Sequence, residues 1–137
     1  MDYTLMDIKT TRTRDAAKGG LSILESNKSV PFEIRRMYYV HGVAAGEERG
    51  YHAHKNLKQL LFCPYGAIRI TLDNGRETAE VLLDDPSVGL IVEPNFWHTM
   101  KWEKDDSVLC VLASDYYEES DYLRKYSDFL DYYKIER

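Results

Sequence analysis

The chain has 137 residues, 44% of them hydrophobic, and a formal net charge of −5 at pH 7. This length suits a single domain over residues 1–137, and the negative charge argues against nucleic acid or an anionic membrane as partner, because both require a basic surface. The first residues lack the charged start and long apolar run of a signal peptide, and no apolar segment approaches the ~20 residues of a membrane span, so we expect a cytoplasmic protein.

Alternation of polar and apolar residues predicts short β-strands from the N-terminal region to about residue 113. Residues 1–30 contain the first of these strands, in a position to pair across a dimer. In the next segment, alternation places Tyr38 on one face with Phe32, Ile34 and Val40. A half-polar ring on an otherwise apolar face is compatible with a pocket or with a hydrogen-bonded core tyrosine.

The middle of the chain continues this pattern. Asp73-Asn74-Gly75 predicts a hairpin turn, because Asn-Gly tolerates the positive φ angles of a tight turn. The two cysteines, Cys63 and Cys110, lie in apolar runs and are predicted to be buried free thiols. Further strands are predicted near residues 57–63, 68–72, 81–83, 88–92, 96–102 and 108–113.

After residue 113, the apolar residues no longer alternate with period two and instead follow the spacing of an α-helix. Asp115 followed by Glu118 resembles a capping box, so we expect an amphipathic α-helix over residues 115–133 that packs against the strands. Many short strands with one terminal helix indicate an all-β sandwich or barrel. The residues that form the helical stripe are Tyr122, Leu123, Tyr126, Phe129, Leu130 and Tyr133.

A histidine pair in a polar, glycine-flanked segment carries the strongest chemical signal. His52 and His54 share one face of a predicted strand, with Arg49 shortly before them. His98 lies on a strand face with Phe96, Met100 and Trp102, as expected of a pocket residue or of a hydrogen-bonded core histidine.

Two spaced motifs connect these residues. Gly46, His52, His54, Gln59 and Gly66 follow the spacing of the first cupin motif, and Gly89, Pro94 and His98 follow a shortened second one. The chain therefore resembles the cupins, which implies a jelly-roll-like β-barrel that binds ligands inside it. Metal-dependent cupins have glutamate where this chain has Gln59, and an amide oxygen is a poorer ligand for a divalent cation, so we expect no metal.

A closer resemblance covers most of the chain. It lies in residues 35–39 (Arg-Arg-Met-Tyr-Tyr), 49–54 (Arg-Gly-Tyr-His-Ala-His), 88–90, 97–98 and 112–117. These segments resemble the sugar 3,4-ketoisomerases, which act on dTDP-4-dehydro-6-deoxyglucose in pathways to 3-amino-3,6-dideoxy sugars. The resemblance implies a cofactor-free enzyme, a dTDP-linked keto-sugar as substrate, and a homodimer with exchanged N-terminal strands. Residues 49–52 also resemble the metal-free dTDP-4-dehydrorhamnose 3,5-epimerases.

The implied reaction moves a ketone from C4 to C3 through an enediol or enediolate. A histidine suits the proton transfers because its ordinary pKa is about 6.5. We expect His52 to be the main base and His54 to shuttle a proton. Tyr38, Arg49 or protonated His54 is expected to stabilise the developing negative charge.

Substrate binding requires cations for the diphosphate and polar groups for the sugar. Arg36, Arg49 and Lys18 are the expected cations, and Gln59 is a further candidate for substrate contact. His98 and Lys18 are expected to influence which face of C4 is reprotonated, with the galacto product favoured.

Three alternatives stay open at this point. A metal-dependent cupin enzyme would use His52, His54 and His98 as ligands. A non-catalytic module would bind the sugar nucleotide without exchanging its hydrogens. A 3,5-epimerase would exchange the hydrogen at C5.

Overall fold

Most of the alternating segments form β-strands, as the sequence predicts. The computed structural model describes residues 1–12 and 14–136. Two short 3₁₀ turns, Ala16–Lys18 and Glu119–Asp121, lie between the regular elements. The strands and the helix are β1 (Thr4–Asp7), β2 (Lys9–Arg12), β3 (Gly20–Ile23), β4 (Arg36–Val40), β5 (Glu48–His54), β6 (Gln59–Tyr65), β7 (Ile68–Asp73), β8 (Thr78–Leu83), β9 (Val88–Val92), β10 (Trp97–Trp102), β11 (Val108–Ala113), β12 (Tyr122–Leu123) and α1 (Tyr126–Tyr132).

Two five-stranded antiparallel sheets make up the body of the protein. One has the order β1-β9-β6-β11-β4, and the other has the order β12-β5-β10-β7-β8. β2 and β3 form a separate two-stranded sheet. The turn after Asp73 joins β7 to β8 through residues 74–77, and Gly75 adopts the positive φ of 91° that the Asn-Gly pair predicts.

The space between the two sheets is filled by aliphatic and aromatic side chains. Both sheets contribute, and Trp102 and Leu90 are completely buried. The Trp102 indole nitrogen donates to the Ser107 carbonyl at 2.8 Å, which satisfies the polar atom of this buried ring. Burial of large side chains from two facing sheets is the arrangement expected of a jelly-roll barrel.

A second apolar cluster covers the outer face of the first sheet, and it corrects one prediction. Phe32 and Ile34 pack in this outer cluster, whereas Tyr38 and Val40 pack against the interior core. β4 begins only at Arg36, because the preceding residues turn instead of continuing the strand. The Ile34 amide donates to the Ser26 side chain at 2.8 Å rather than to a strand ladder.

The C-terminal region differs from the predicted helix over residues 115–133. α1 begins at Tyr126, and Lys125 precedes it without a side-chain cap. Tyr122 and Leu123 instead form β12, which pairs with His54 and Ala53 of β5. The strand pairing satisfies backbone groups that a longer helix would have used internally, so tertiary contacts override the local spacing.

The short helix still packs as predicted. Phe129 is completely buried against Ala53 of β5, with Trp97, Leu130 and Tyr133 around it. The Tyr133 hydroxyl donates to the His54 carbonyl at 2.6 Å. The helix therefore supports the back of the strand that carries His52 and His54.

The N-terminal segment forms the strands expected within residues 1–30. β1 pairs with β9 of its own chain, and β2 and β3 form a separate hairpin. Exchange of these strands between subunits stays a prediction. Cys63 and Cys110 are buried and free, as expected. Across residues 1–12 and 14–136, no helix is long and apolar enough to cross a membrane.

Candidate active site

Three histidines meet at one end of the barrel. His52 and His54 belong to β5, and His98 belongs to the neighbouring strand β10. The centroid of the His52 ring lies 5.1 Å from that of His54 and 4.7 Å from that of His98. His54 and His98 are each only 1% exposed, whereas His52 is half-buried. The structure thus brings together the three histidines that the sequence singles out.

A β-bulge in β5 explains why Arg49 joins them. His52 pairs with His98, but Gly50 pairs with Thr99 and Arg49 with Met100, so Tyr51 is the extra residue. Gly50 and Tyr51 both have positive φ angles, 98° and 62°. Regular alternation would place residues three apart on opposite faces. The inserted residue puts the Arg49 side chain on the inner face with Met100 and His52, since directly paired residues share a face.

The bulge leaves little room for any other residue at position 50. A Cβ on Gly50 would lie 2.8 Å from the Met100 sulfur and 2.9 Å from the His98 carbonyl oxygen. The Tyr51 side chain points to the exposed side, where its hydroxyl donates to the Glu48 carboxylate. Gly50 therefore allows β5 and β10 to approach closely beside the histidines.

A cavity of about 310 Å³ opens beside His52. His54 and His98 lie behind His52 and are not among the described residues that line it. A second cavity, of about 410 Å³, adjoins it and shares Arg36 and Tyr122. The lining residues of the first cavity are Arg36, Tyr38, Val40, Arg49, Gly50, His52, Met100, Tyr117, Tyr122 and Arg124.

His54 and His98 each have one ring nitrogen directed at a fixed acceptor. The Asp121 carboxylate lies 3.1 Å from His54 Nδ1, and the Phe96 carbonyl lies 3.2 Å from His98 Nδ1. Because these acceptors have no hydrogen to donate, the ring nitrogens facing them must carry the proton. The other nitrogen of each neutral imidazole is then free to accept a proton.

Burial keeps these rings neutral at physiological pH. Burial, together with the nearby His54, lowers the pKa of His52 to about 4. Burial and the neighbouring His52 lower the pKa of His98 to about 3. The pKa of His54 is also lowered by burial and by His98, although Asp121 opposes this shift. Neutral imidazoles are the form in which histidine acts as a base.

Tyr38 is positioned as a hydrogen-bond donor to the cavity. The Gln59 side-chain nitrogen donates to its hydroxyl oxygen at 3.0 Å, which leaves the phenolic hydrogen available for a ligand. Burial raises the pKa of Tyr38, so the hydroxyl stays protonated. Gln59 itself is buried and is not among the described residues that line the cavity, so its visible contact is with Tyr38.

The cations predicted to bind phosphate occupy different places. Arg36 is half-buried and lines both cavities, with its guanidinium carbon 5.2 Å from the centre of the Tyr38 ring. Arg49 lines the smaller cavity at the exposed rim. Lys18 is exposed in the turn Ala16–Lys18 and is not among the described residues that line either cavity.

Residues 115–125 complete the site, although sequence reasoning assigned them to a helix. The Tyr122 ring lies 4.5 Å from the His54 ring and 5.2 Å from the His52 ring. Arg124 stacks over Tyr122 at 4.3 Å and binds both carboxylate oxygens of Glu119 at 2.6 and 2.9 Å. No local pattern identifies these residues, because their role depends on a strand pairing with β5.

The three imidazoles also have the chemistry of a metal site. One ring nitrogen from each of His52, His54 and His98 lies within 4.8 Å of the others. Neutral imidazoles are good ligands for zinc and similar ions, and Asp121 would support His54 as an outer-shell acceptor. Gln59, in the position of the usual fourth cupin ligand, instead donates to Tyr38.

A comparison with protein families shows to which family this chain belongs. The model of the family described as FdtA, WxcM-like, C-terminal, matches residues 1–134. The chain belongs to this family. The resemblance to the sugar 3,4-ketoisomerases and the all-β cupin fold with a short C-terminal helix are thereby confirmed.

Individual relatives are similar to this chain over most of its length. The TDP-4-oxo-6-deoxy-alpha-D-glucose-3,4-oxoisomerase of Aneurinibacillus thermoaerophilus is 47% identical over 116 residues, which are 85% of this chain and 84% of the relative. The crystal structure of the sugar 3,4-ketoisomerase QdtA from Thermoanaerobacterium thermosaccharolyticum, in complex with TDP, superposes with a TM-score of 0.91. It is 39% identical, over 96% of this chain and 94% of that one.

A third relative comes from another bacterium. The TDP-quinovose 3,4-ketoisomerase WlaRB of Campylobacter jejuni superposes with a TM-score of 0.87 at 38% identity, covering 95% of this chain and 98% of that one. All three relatives carry the same reaction in their names. The family model, which matches residues 1–134, includes both the histidine strand and the C-terminal segment that lines the cavity.

Proposed function

We propose that this protein isomerises dTDP-4-dehydro-6-deoxy-D-glucose to its 3-keto isomer. Membership of the FdtA family supports a TDP-sugar 3,4-ketoisomerase. The observation that carries the chemistry is the cavity beside His52, which combines a neutral imidazole, a protonated phenol and three arginines. The product would serve the formation of a 3-amino-3,6-dideoxy sugar.

The proposed reaction is a pair of proton transfers without any external oxidant. His52 removes the hydrogen of C3, which the C4 ketone makes acidic, and the C3–H electron pair forms the enediolate across C3 and C4. A proton then adds to C4, and the hydrogen of O3 passes to O4 as the ketone forms at C3. His54 is the proposed shuttle for these exchanges, because its free Nε2 lies behind His52.

The enediolate oxygen requires a donor that is already in place. Tyr38 is the proposed donor, since Gln59 occupies its oxygen and leaves its hydrogen free. Arg36 and Arg49 are the proposed diphosphate ligands, because both lie on the cavity that contains His52. Lys18 enters the proposed site only from another subunit, in a homodimer with exchanged N-terminal strands.

We propose the galacto configuration at C4 of the product. The centroid of the His98 ring lies 4.7 Å from that of His52. His98 is the residue that we propose determines the face from which C4 receives its proton. In the galacto product the C4 hydrogen is equatorial, so its coupling to H5 is small. In the gluco product it is axial, and the coupling is large.

Proton NMR of the substrate with the enzyme tests this proposal. In deuterated water, the 3,4-ketoisomerase requires loss of the H3 signal and deuterium at C4 of a 3-keto product. Exchange at C5 would indicate a 3,5-epimerase, and saturable binding without any exchange would indicate a non-catalytic module. A parallel reaction in ordinary water keeps H4 and reports its coupling to H5.

The three-histidine cluster supports a second candidate, a metal-dependent cupin enzyme. Its support is the approach of one nitrogen from each ring to within 4.8 Å of the others. Elemental analysis of protein purified without added metal separates the two functions. The metal-free enzyme requires less than stoichiometric metal and unchanged turnover after chelation, whereas stoichiometric metal and loss of turnover would favour the second candidate.

A further inference from the structure

Asp121 makes the only carboxylate contact to a histidine of the cluster among the residues described. Its Oδ2 lies 3.1 Å from His54 Nδ1, and the two side chains are 17% and 2% exposed. Asp121 lies at the end of the turn Glu119–Asp121, which is outside the two cupin motifs of this sequence. The contact is therefore a partly buried polar pair, and the proposed proton transfers assign it no role.

The carboxylate is held in place by backbone groups on both sides. The Asn56 amide donates to Asp121 Oδ1 at 2.9 Å, and the Lys55 amide donates to the Asp121 carbonyl at 2.9 Å. The adjacent Tyr122 pairs with His54 in the β12–β5 ladder. One carboxylate oxygen thus receives a backbone hydrogen bond, while the other is left for the imidazole.

This arrangement determines the hydrogen on His54. A carboxylate only accepts hydrogen bonds, so the proton of neutral His54 must lie on Nδ1. Nε2 then has the lone pair, and among the described residues it is buried without a hydrogen-bond partner. A buried acceptor without a partner is costly, which indicates a retained function or a proton partner that arrives with the substrate.

We infer that Asp121 is a positioning residue that fixes the tautomer and orientation of His54, so that Nε2 exchanges protons within the histidine cluster. This inference rests on the proposed function and deepens it. It assigns different roles to the two histidines of β5. His52 meets the substrate in the cavity, and His54 is held as the proton carrier behind it.

The substitution Asp121→Asn tests the inference because it preserves the shape of the side chain. The Asn56 amide requires an oxygen as its acceptor, so it fixes the new amide with its nitrogen towards His54. That nitrogen only donates, so His54 Nδ1 must become the acceptor and the proton must move to Nε2. Nitrogen NMR of protein labelled in its histidines reports the tautomer of His54 directly, without substrate.

The kinetic consequence is specific. Asp121→Asn should lower kcat by about 100-fold or more, because the wrong tautomer cannot accept a proton at Nε2. KM should change by less than about threefold, since Asp121 lines the adjoining larger cavity and not the cavity that contains His52. Asp121→Glu keeps a carboxylate and should recover part of kcat together with the native tautomer.

The matched control is Asp131→Asn, which makes the same chemical change ten residues later. Asp131 is exposed and is not among the described residues that line either cavity. It should keep the wild-type kcat and the wild-type His54 signals. Thermal unfolding of all variants shows whether each one is folded.

The inference requires both a tautomer change and a fall in kcat in the folded Asp121→Asn protein. A native tautomer, or a wild-type kcat, would overturn it. If the wild-type protein converted no keto-sugar, the proposed function would fail instead. The NMR measurement would then decide by itself whether Asp121 positions His54.

Discussion

At the scale of single residues, the environment of His52 determines what it can do. Its ring borders the cavity, and burial lowers its pKa to about 4, so it is neutral and ready to accept a proton near pH 7. His54 and His98 are more deeply buried. Among the three, His52 is therefore the one that borders the cavity and the one proposed to contact a sugar carbon.

Replacement of His52 by Asn should reduce turnover of the proposed keto-sugar by at least about 100-fold, because asparagine cannot accept the C3 proton. The measurement is kcat by NMR or a coupled assay under saturating substrate. His41→Asn is the control, since His41 is exposed and lies outside the cavity among the described residues. A near-normal kcat for the His52 variant would remove it from the role of base.

We expect Gln59 to act through Tyr38, because its side-chain nitrogen donates to the Tyr38 hydroxyl oxygen. Gln59→Glu replaces a donor with a carboxylate that accepts the Tyr38 hydrogen, so the phenol can no longer donate to the enediolate. We expect kcat to fall by about 100-fold, similar to the effect of Tyr38→Phe.

A double-mutant cycle checks this explanation. If Gln59 acts through the Tyr38 hydrogen, Gln59→Glu should have little further effect on kcat in the Tyr38→Phe background. Equal losses of kcat in both backgrounds would show that Gln59 acts independently of Tyr38. Elemental analysis of the Gln59→Glu protein shows whether the new carboxylate has recruited a metal.

At the scale of secondary-structure elements, the bulge in β5 is the feature that assembles the site. Alternation alone places His52 and His54 together but assigns Arg49 to the opposite face. The extra residue at Tyr51 brings Arg49 to the inner face. The sequence contains the Gly-Tyr pair, but the bulge becomes evident only in the register with β10.

Gly50→Ala should damage both stability and turnover. The added Cβ would meet the Met100 sulfur and the His98 carbonyl, and the φ of 98° disfavours any side chain. We expect a loss of more than about 1 kcal/mol in the free energy of unfolding, together with a reduced kcat because β5 and β10 must separate. Urea unfolding and steady-state kinetics measure the two effects.

Gly46→Ala separates backbone strain from the clash. Gly46 has a similar φ of 91°, but a Cβ there would meet nothing within 4 Å. It should lose about 1 kcal/mol of stability and keep its kcat. Equal kinetic effects from both substitutions would show that close approach at Gly50 has no special role.

At the scale of the whole molecule, the site places three histidines in a poorly solvated region. The pKa values of His52 and His98 in the folded protein, about 4 and about 3, lie below the ordinary value of 6.5. At pH values between these lowered pKa values and 6.5, the unfolded chain binds more protons than the folded one. The folded state must therefore lose stability as the pH falls through this window.

We expect the free energy of unfolding to decrease from pH 6.5 towards pH 4, by about 1.4 kcal/mol for each unit of pKa shift of a buried histidine. Urea unfolding at several pH values measures this slope. His98→Leu should make the slope shallower, whereas His41→Asn should leave it unchanged. A slope that is identical in wild-type and His98→Leu protein would contradict this origin of acid instability.

Much of the fold of this protein follows from patterns among residues that are close together in the sequence. Period two identified the strand near residues 68–72, because alternate residues of this strand face the core. The motif around His52 identified the family, and the turn at Asn74-Gly75 followed from the local preference for positive φ. These features depend on neighbours in the sequence, so the sequence alone specifies them.

Only the tertiary structure decided the remainder of the site. Residues 115–125 have helical spacing, but pairing of Tyr122 with His54 satisfies their backbone as a strand and places Asp121 against the imidazole. Arg49 reaches the cavity through a register shift against β10, and Gln59 acquires its contact from Tyr38 on another strand. Each of these contacts joins distant parts of the chain, so its free energy has no signature in the local sequence.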